Sequence, residues 1–130
     1  MLLGRNKHAA YKSTKVNANV SVANSFELNF MLHERLESEL KLLESAISAG
    51  EIEKKARHSN KCISILMALD NSLDLDQSNE LIQTIHGLYE SSIACVYKAS
   101  VDMDAKQIEP CFEISKNLKE GWQGLVASAA

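Results

Sequence analysis

Residues 72–91 read SLDLDQSNELIQTIHGLYES. Ser72-Leu73-Asp74 closes one apolar segment, a short polar stretch follows, and Leu81/Ile82, Ile85 and Leu88/Tyr89 open another at intervals of three and four residues. That spacing puts apolar side chains on one stripe of a helix. Two helices joined by so short a connection must run antiparallel. Gly87 lies inside the second of them, at a cost of about 1 kcal/mol against Ala. A close helix contact or a partner's backbone would account for the missing side chain.

Working outward, the same period recurs across most of the 130 residues. Asn24, with Glu27 three residues on, predicts a capped helix start. From there Leu28, Met31/Leu32, Leu36, Leu40, Leu43 and Ile47 form a stripe that Gly50 ends in a left-handed turn. A second helix begins near Glu51, with Ile52, Ala56, Ser59, Ile63, Leu66 and Leu73 on one face and Cys62, Ile65 and Leu69 widening it. The third starts at Ser78 or Asn79 and continues through Ile93, Val96 and Ala99. The fourth carries Ile108, Cys111, Ser115, Leu118, Trp122 and Leu125. Asp104 caps it, or the regular helix begins nearer Glu109, because Pro110 removes a backbone donor. Residues 1–23 differ. Val16, Ala18, Val20 and Val22 alternate with polar residues, a period of two that suits an extended segment. The expected organisation is an N-terminal arm over 1–23, a bundle over 24–126 and a frayed end over 127–130. The fold class is all-α, an antiparallel up-down four-helix bundle with an extended or partly helical N-terminal arm.

Composition narrows the function. Hydrophobic residues are 45% and charged residues 24%, ordinary for a folded domain, and only five Gly and one Pro interrupt the helices. A net charge of −3 argues against a general nucleic-acid binder. Basic residues near the start (Arg5, Lys7, Lys12, Lys15) read as a solvated arm. No apolar run approaches the roughly 20 residues of a membrane span, and no signal peptide is visible. Cys62, Cys95 and Cys111 are odd in number and form no metal or redox motif, so buried free thiols and a cytoplasmic location are expected. His8, His33, His58 and His86 are scattered; Cys62, one turn after His58, is the sole His or Cys at that spacing from any of them, and two such residues make no metal set, so no metal site is expected. Glu37, Glu39 and Glu44 read as a solvated face. No phosphate loop or nucleophile elbow occurs, and neither a catalytic residue nor a cofactor is expected.

Several elements together resemble the FliS family of flagellar secretion chaperones. Ala23-Asn24-Ser25-Phe26-Glu27-Leu28 with Met31-Leu32 falls where that family has a capped helix start and a Met-Leu pair. Ser72-Leu73-Asp74, Glu80-Leu81, Leu88-Tyr89, Ala99, Asp104 and Leu118 to Trp122 follow without gaps. Asn6 to Tyr11 is similar to the family's N-terminal arm, with Lys7 and His8 in place of its Pro and first Tyr. His33-Glu34-Arg35 stands where the family commonly has Tyr-Asp-Gly, and Ser78-Asn79 replaces a double Gly. The resemblance implies a cytoplasmic, non-enzymatic chaperone that binds the disordered C-terminal segment of flagellin, prevents premature polymerisation and keeps it competent for type III export. It also implies a second partner, the flagellar export gate. Tyr11, Leu69, Leu73, Leu81, Ile85, Tyr89 and Trp122 are the candidate client-binding residues, although bundle core is a competing duty for most of them. Two alternatives stand beside this reading. His58-Ser59-Asn60-Lys61 is similar to the His-x-x-Lys of a phosphotransfer bundle, with Cys62 where that family has Gly. A generic helical adaptor for another secreted protein is the other.

Overall fold

The computed structural model describes residues 18–73 and 80–129, with side chains over 27–73 and 80–123. Four helices form the fold: α1 (Ala18–Ser48), α2 (Ile52–Asn71), α3 (Glu80–Asp102) and α4 (Glu109–Ala129), with a 3-10 turn (Ala105–Ile108) leading into α4. Each helix packs on its neighbours in chain order and α1 also packs on α4, closing a four-helix ring. Leu36, Leu40, Leu43 and Ile47 from α1, Cys62, Leu66 and Leu69 from α2, Tyr89, Val96 and Ala99 from α3, and Cys111 and Leu118 from α4 meet in one core.

Two connections are built alike. After α1, Gly50 takes φ +70°, its N–H bonds to the Ile47 carbonyl at 3.1 Å, and the Glu51 N–H reaches back to the Ala46 carbonyl at 2.9 Å. After α3, Met103 takes φ 52°, its N–H faces the Ser100 carbonyl at 3.4 Å, and the Asp104 N–H bonds to the Ala99 carbonyl at 3.2 Å. Both are Schellman turns, which satisfy carbonyls left over at a helix end. Glycine makes the first without strain. Met103 accepts the unfavourable left-handed backbone while its side chain packs against the core. Asp104 then caps the 3-10 turn, accepting from the Lys106 N–H at 3.0 Å, and Gln107 bonds back to it. The regular helix starts at Glu109, so Pro110 sits in the first turn, where its missing N–H costs no intrahelical bond. Ser72 closes α2: its hydroxyl donates to the Leu69 carbonyl at 2.6 Å and accepts from Asn29 on α1.

Several expectations are corrected. α1 begins at Ala18 rather than Asn24, so Val20 and Val22 are helical and not extended; no Gly or Pro lies between 18 and 48, and an established helix extends at one hydrogen bond per residue. α4 likewise continues to Ala129. Val16 and Ser78-Asn79 lie outside the described residues. Leu28, Met31, Ile52 and Leu81 are exposed, because the buried stripe of each helix is rotated away from them. Cys95 and Cys111 are paired as a disulfide between α3 and α4, their Cα atoms 6.5 Å apart, while Cys62 is free and buried. Their juxtaposition comes from helix packing, which a spacing of 16 in the chain does not reveal. Glu39 is only 5% exposed and pairs with His58, so neither is an ordinary surface residue.

A Cβ built on Gly87 or on Gly50 would meet nothing within 4 Å, so close helix approach does not explain Gly87. Gly87→Ala is therefore expected to stabilise the fold by about 1 kcal/mol through helix propensity. Gly50→Ala is expected to destabilise it by about 1 kcal/mol, since only the backbone angle opposes it. Urea unfolding of the two variants checks both; equal signs would contradict the account.

Candidate functional site

Three aromatic rings from three helices meet inside the bundle. His33 of α1 and Tyr89 of α3 are fully buried, and Trp122 of α4 is nearly so. The helical period that carries Ile47, Leu43, Leu40 and Leu36 back along α1 reaches His33 and then Asn29, so the core stripe turns polar at that end. The His33 and Tyr89 rings stack with centroids 5.8 Å apart, and Trp122 lies tilted against His33 at 6.3 Å.

The hydrogen bonds have a direction. Trp122 Nε1–H can only donate, and it donates to the Tyr89 hydroxyl at 2.9 Å. The Tyr89 proton is then available for His33 Nε2, 2.8 Å away. This leaves the imidazole proton on Nδ1, a buried atom without a hydrogen-bond partner among the described residues. Desolvation, reinforced by the charge of Lys119, lowers the His33 pKa from 6.5 to about 4, so the ring is neutral near pH 7. Burial pushes the Tyr89 hydroxyl up to about 12, against the opposing pull of the Trp122 bond.

Above this polar junction, α3 and α4 part to form an apolar groove of about 350 Å³. Leu81, Thr84, Ile85 and Leu88 make one wall, and Asn117, Leu118, Gly121 and Trp122 the other. A Cβ on Gly121 would meet nothing within 4 Å, so this glycine leaves part of the groove empty. Leu81 is 63% exposed at its edge. On the α2 side of α3, His86 bonds to Asp70 at 2.6 Å and approaches Glu90 at 3.4 Å; the Asp70 hydrogen bond raises its pKa. On the α1 side of α4, Lys119 reaches Glu37 at 3.2 Å and lies over the Phe30 ring. These polar contacts hold both walls to the rest of the ring.

Of the residues singled out in the sequence, Leu81, Ile85 and Trp122 line the groove, and Tyr89 lies beneath it. Leu69 is fully buried in the core and Leu73 half-buried at the end of α2. Tyr11 lies outside the described residues. Thr84, Leu88, Asn117, Leu118 and Gly121 were not singled out, nor was His33. Asn117, Leu118, Gly121 and Trp122 stand at i, i+1, i+4 and i+5, two adjacent rows of one helix surface, but Asn117 and Gly121 carry no apolar signal that would mark those rows as a wall. Among the described residues no group of three His, Cys, Asp or Glu side chains is placed to hold a metal ion, and no helix is long and apolar enough to cross a membrane.

The neutral His33 has a consequence for stability. Its folded pKa lies below the unfolded value, so its contribution is complete above pH 6.5 and falls as pH drops through the window from 6.5 to about 4. His86, with a raised pKa, works in the opposite sense. Urea unfolding of the wild type and of His33→Gln isolates the first term: going from about pH 7 to about pH 5, the wild type is expected to lose about 2 kcal/mol more than the variant.

Residues 6–129 match the sequence model of the family described as flagellar protein FliS. Among solved structures, the chain is similar to one described as the crystal structure of a flagellar chaperone from bacteria, with TM-score 0.76 and 18% identity over 94% of this chain and 98% of that one. No curated protein matches the sequence. The structural likeness supports the four-helix architecture, and the family match, running from the N-terminal region to the end of α4, identifies the chain as a member of the FliS family of flagellar proteins.

Proposed function

We propose that this chain is a cytoplasmic, non-enzymatic export chaperone that binds the disordered C-terminal segment of a flagellin, prevents its premature polymerisation and keeps it competent for flagellar type III export. The observation that carries this reading is the open apolar groove between α3 and α4. An amphipathic helix laid in such a groove anchors residues at i, i+3, i+4 and i+7 against the walls. A segment disordered when free covers a large surface and loses its chain entropy only on binding. Leu81, Ile85 and Trp122 meet the client directly in this reading. Tyr89, Leu69 and Leu73 hold the walls behind them, and Tyr11 covers the groove in the free protein. With client bound, the complex engages the export gate.

The phosphotransfer alternative has lost its support. His58 Nδ1 is 2.7 Å from Glu39 Oε1, and the His58 side chain is only 14% exposed, a poor position for accepting a phosphoryl group. A generic adaptor is less specific than family membership warrants.

Titration of the flagellin from the same organism, and of a form lacking its last ~40 residues (about 60 Å of helix, enough to run along the bundle), tests the reading. One-to-one binding of the first and loss of binding by the second are expected; equal binding of both, or of neither, sinks it. Gly121→Leu, whose Cβ meets no neighbour and whose side chain extends into the groove, is expected to weaken client binding about tenfold or more, equivalent to about 1.4 kcal/mol, with thermal stability retained. Deleting residues 1–19 is expected to speed client association if Tyr11 covers the groove.

A further inference from the structure

The face opposite the α3–α4 groove is formed by α1 and α2, and its chemistry is different. On α2, Lys54, Arg57 and Lys61 recur at i, i+3 and i+7, one stripe of the helix. Arg57 and Lys61 are exposed and make no ion pair among the described residues, while Lys54 has only a 3.4 Å contact with Glu51. On the neighbouring α1, Leu28, Met31 and Arg35 repeat the same spacing, and all three are exposed.

The two stripes are held in register by one buried carboxylate. Glu39 takes His58 of α2 on one oxygen at 2.7 Å and Arg35 on the other at 3.8 Å. Because the helices are antiparallel, this pairing sets Arg35 at the level of Lys61. It also sets Met31 and Leu28 at the level of Ile65 and Ala68. The face is therefore cationic along one half and apolar along the other, on a chain whose net charge is −3. Arg57 and Lys61, which make no ion pair among the described residues, stand on the same face as exposed Leu and Met side chains, a pattern that complements carboxylates beside apolar anchors.

We propose that the α1–α2 face is a second docking surface and that its occupant is an acidic amphipathic helix of another protein. Its apolar side rests on Leu28, Met31 and Ile65, and its carboxylates meet Arg35, Arg57 and Lys61. The chain's own N-terminal segment is the wrong partner. Residues 1–26 contain Arg5, Lys7, Lys12 and Lys15 and no Asp or Glu, so the stripe repels them. A nucleic acid calls for a broader basic surface than four side chains. Because this face and the α3–α4 groove lie on opposite sides of the ring, both can be filled at once.

The test uses the full chain and a labelled helical peptide with Leu at i, i+3 and i+7 flanked by Glu, followed by fluorescence anisotropy. A control peptide carries Lys in place of each Glu, and phosphatidylglycerol vesicles form a separate arm. Binding of the acidic peptide alone is expected, weakened about tenfold or more by Arg57→Glu with Lys61→Glu and weakened when salt rises from about 50 to about 300 mM. Gly121→Leu is expected to leave this binding unchanged, which separates it from the client groove. Arg57→Gln with Lys61→Gln serves as a milder variant if charge reversal disturbs folding. Equal binding of both peptides, no binding of the acidic one, indifference to either pair of substitutions, or capture of vesicles without the peptide would overturn the proposal.

Discussion

The hydroxyl of Tyr89 is the point on which the rest of the bundle turns. It accepts from Trp122 of α4 and faces His33 of α1 while its own ring belongs to α3. Apolar stripes bring helices together, but they tolerate sliding and rotation because the hydrophobic effect has no direction. A hydrogen bond does have one, and an unpaired polar group in the core costs about 1–3 kcal/mol. Any rotation of α1, α3 or α4 that broke this junction would strand at least one more buried polar atom. The groove walls therefore inherit a fixed spacing from this junction beneath them.

Much of the architecture was legible because four long apolar periods admit few arrangements. Leu36, Leu40 and Leu43, and Cys111, Ser115 and Leu118, lie buried where the spacing of the sequence put them. The Gly50 turn also followed from local chemistry, while the start of the last helix stood open between Asp104 and Glu109 until the 3-10 turn separated the two. What the period missed were places where a polar residue occupies a core position. His33 and Asn29 continue the α1 stripe, while the more apolar Leu28 and Met31 face outward. A scale that ranks side chains by hydrophobicity selects the wrong pair there, since the partners that make His33 and Asn29 acceptable are 56 and 43 residues away.

The site was legible only in part, for a related reason. Leu81, Ile85 and Trp122 could be selected as apolar residues in excess of what one stripe needs. The opposite wall could not, because Asn117 and Gly121 carry no hydrophobic signal and become wall residues only when α4 packs beside α3. Likewise Glu39 belongs by composition to a charged surface, and packing turns it into a buried brace between two helices.

The paired Schellman turns give the molecule a repeating plan. Residues 18–71 and 80–129 are two helical hairpins, each closed at the same end of the bundle by a 6→1 bond over a left-handed residue. The two hairpins share the turn but not the packing: α1 and α2 lie close together, whereas α3 and α4 part. One bears a cationic stripe beside Leu and Met, and the other an apolar trough beside a glycine. A replicated turn between differently packed helices thus puts two chemically unlike surfaces on a chain of this size without a second domain.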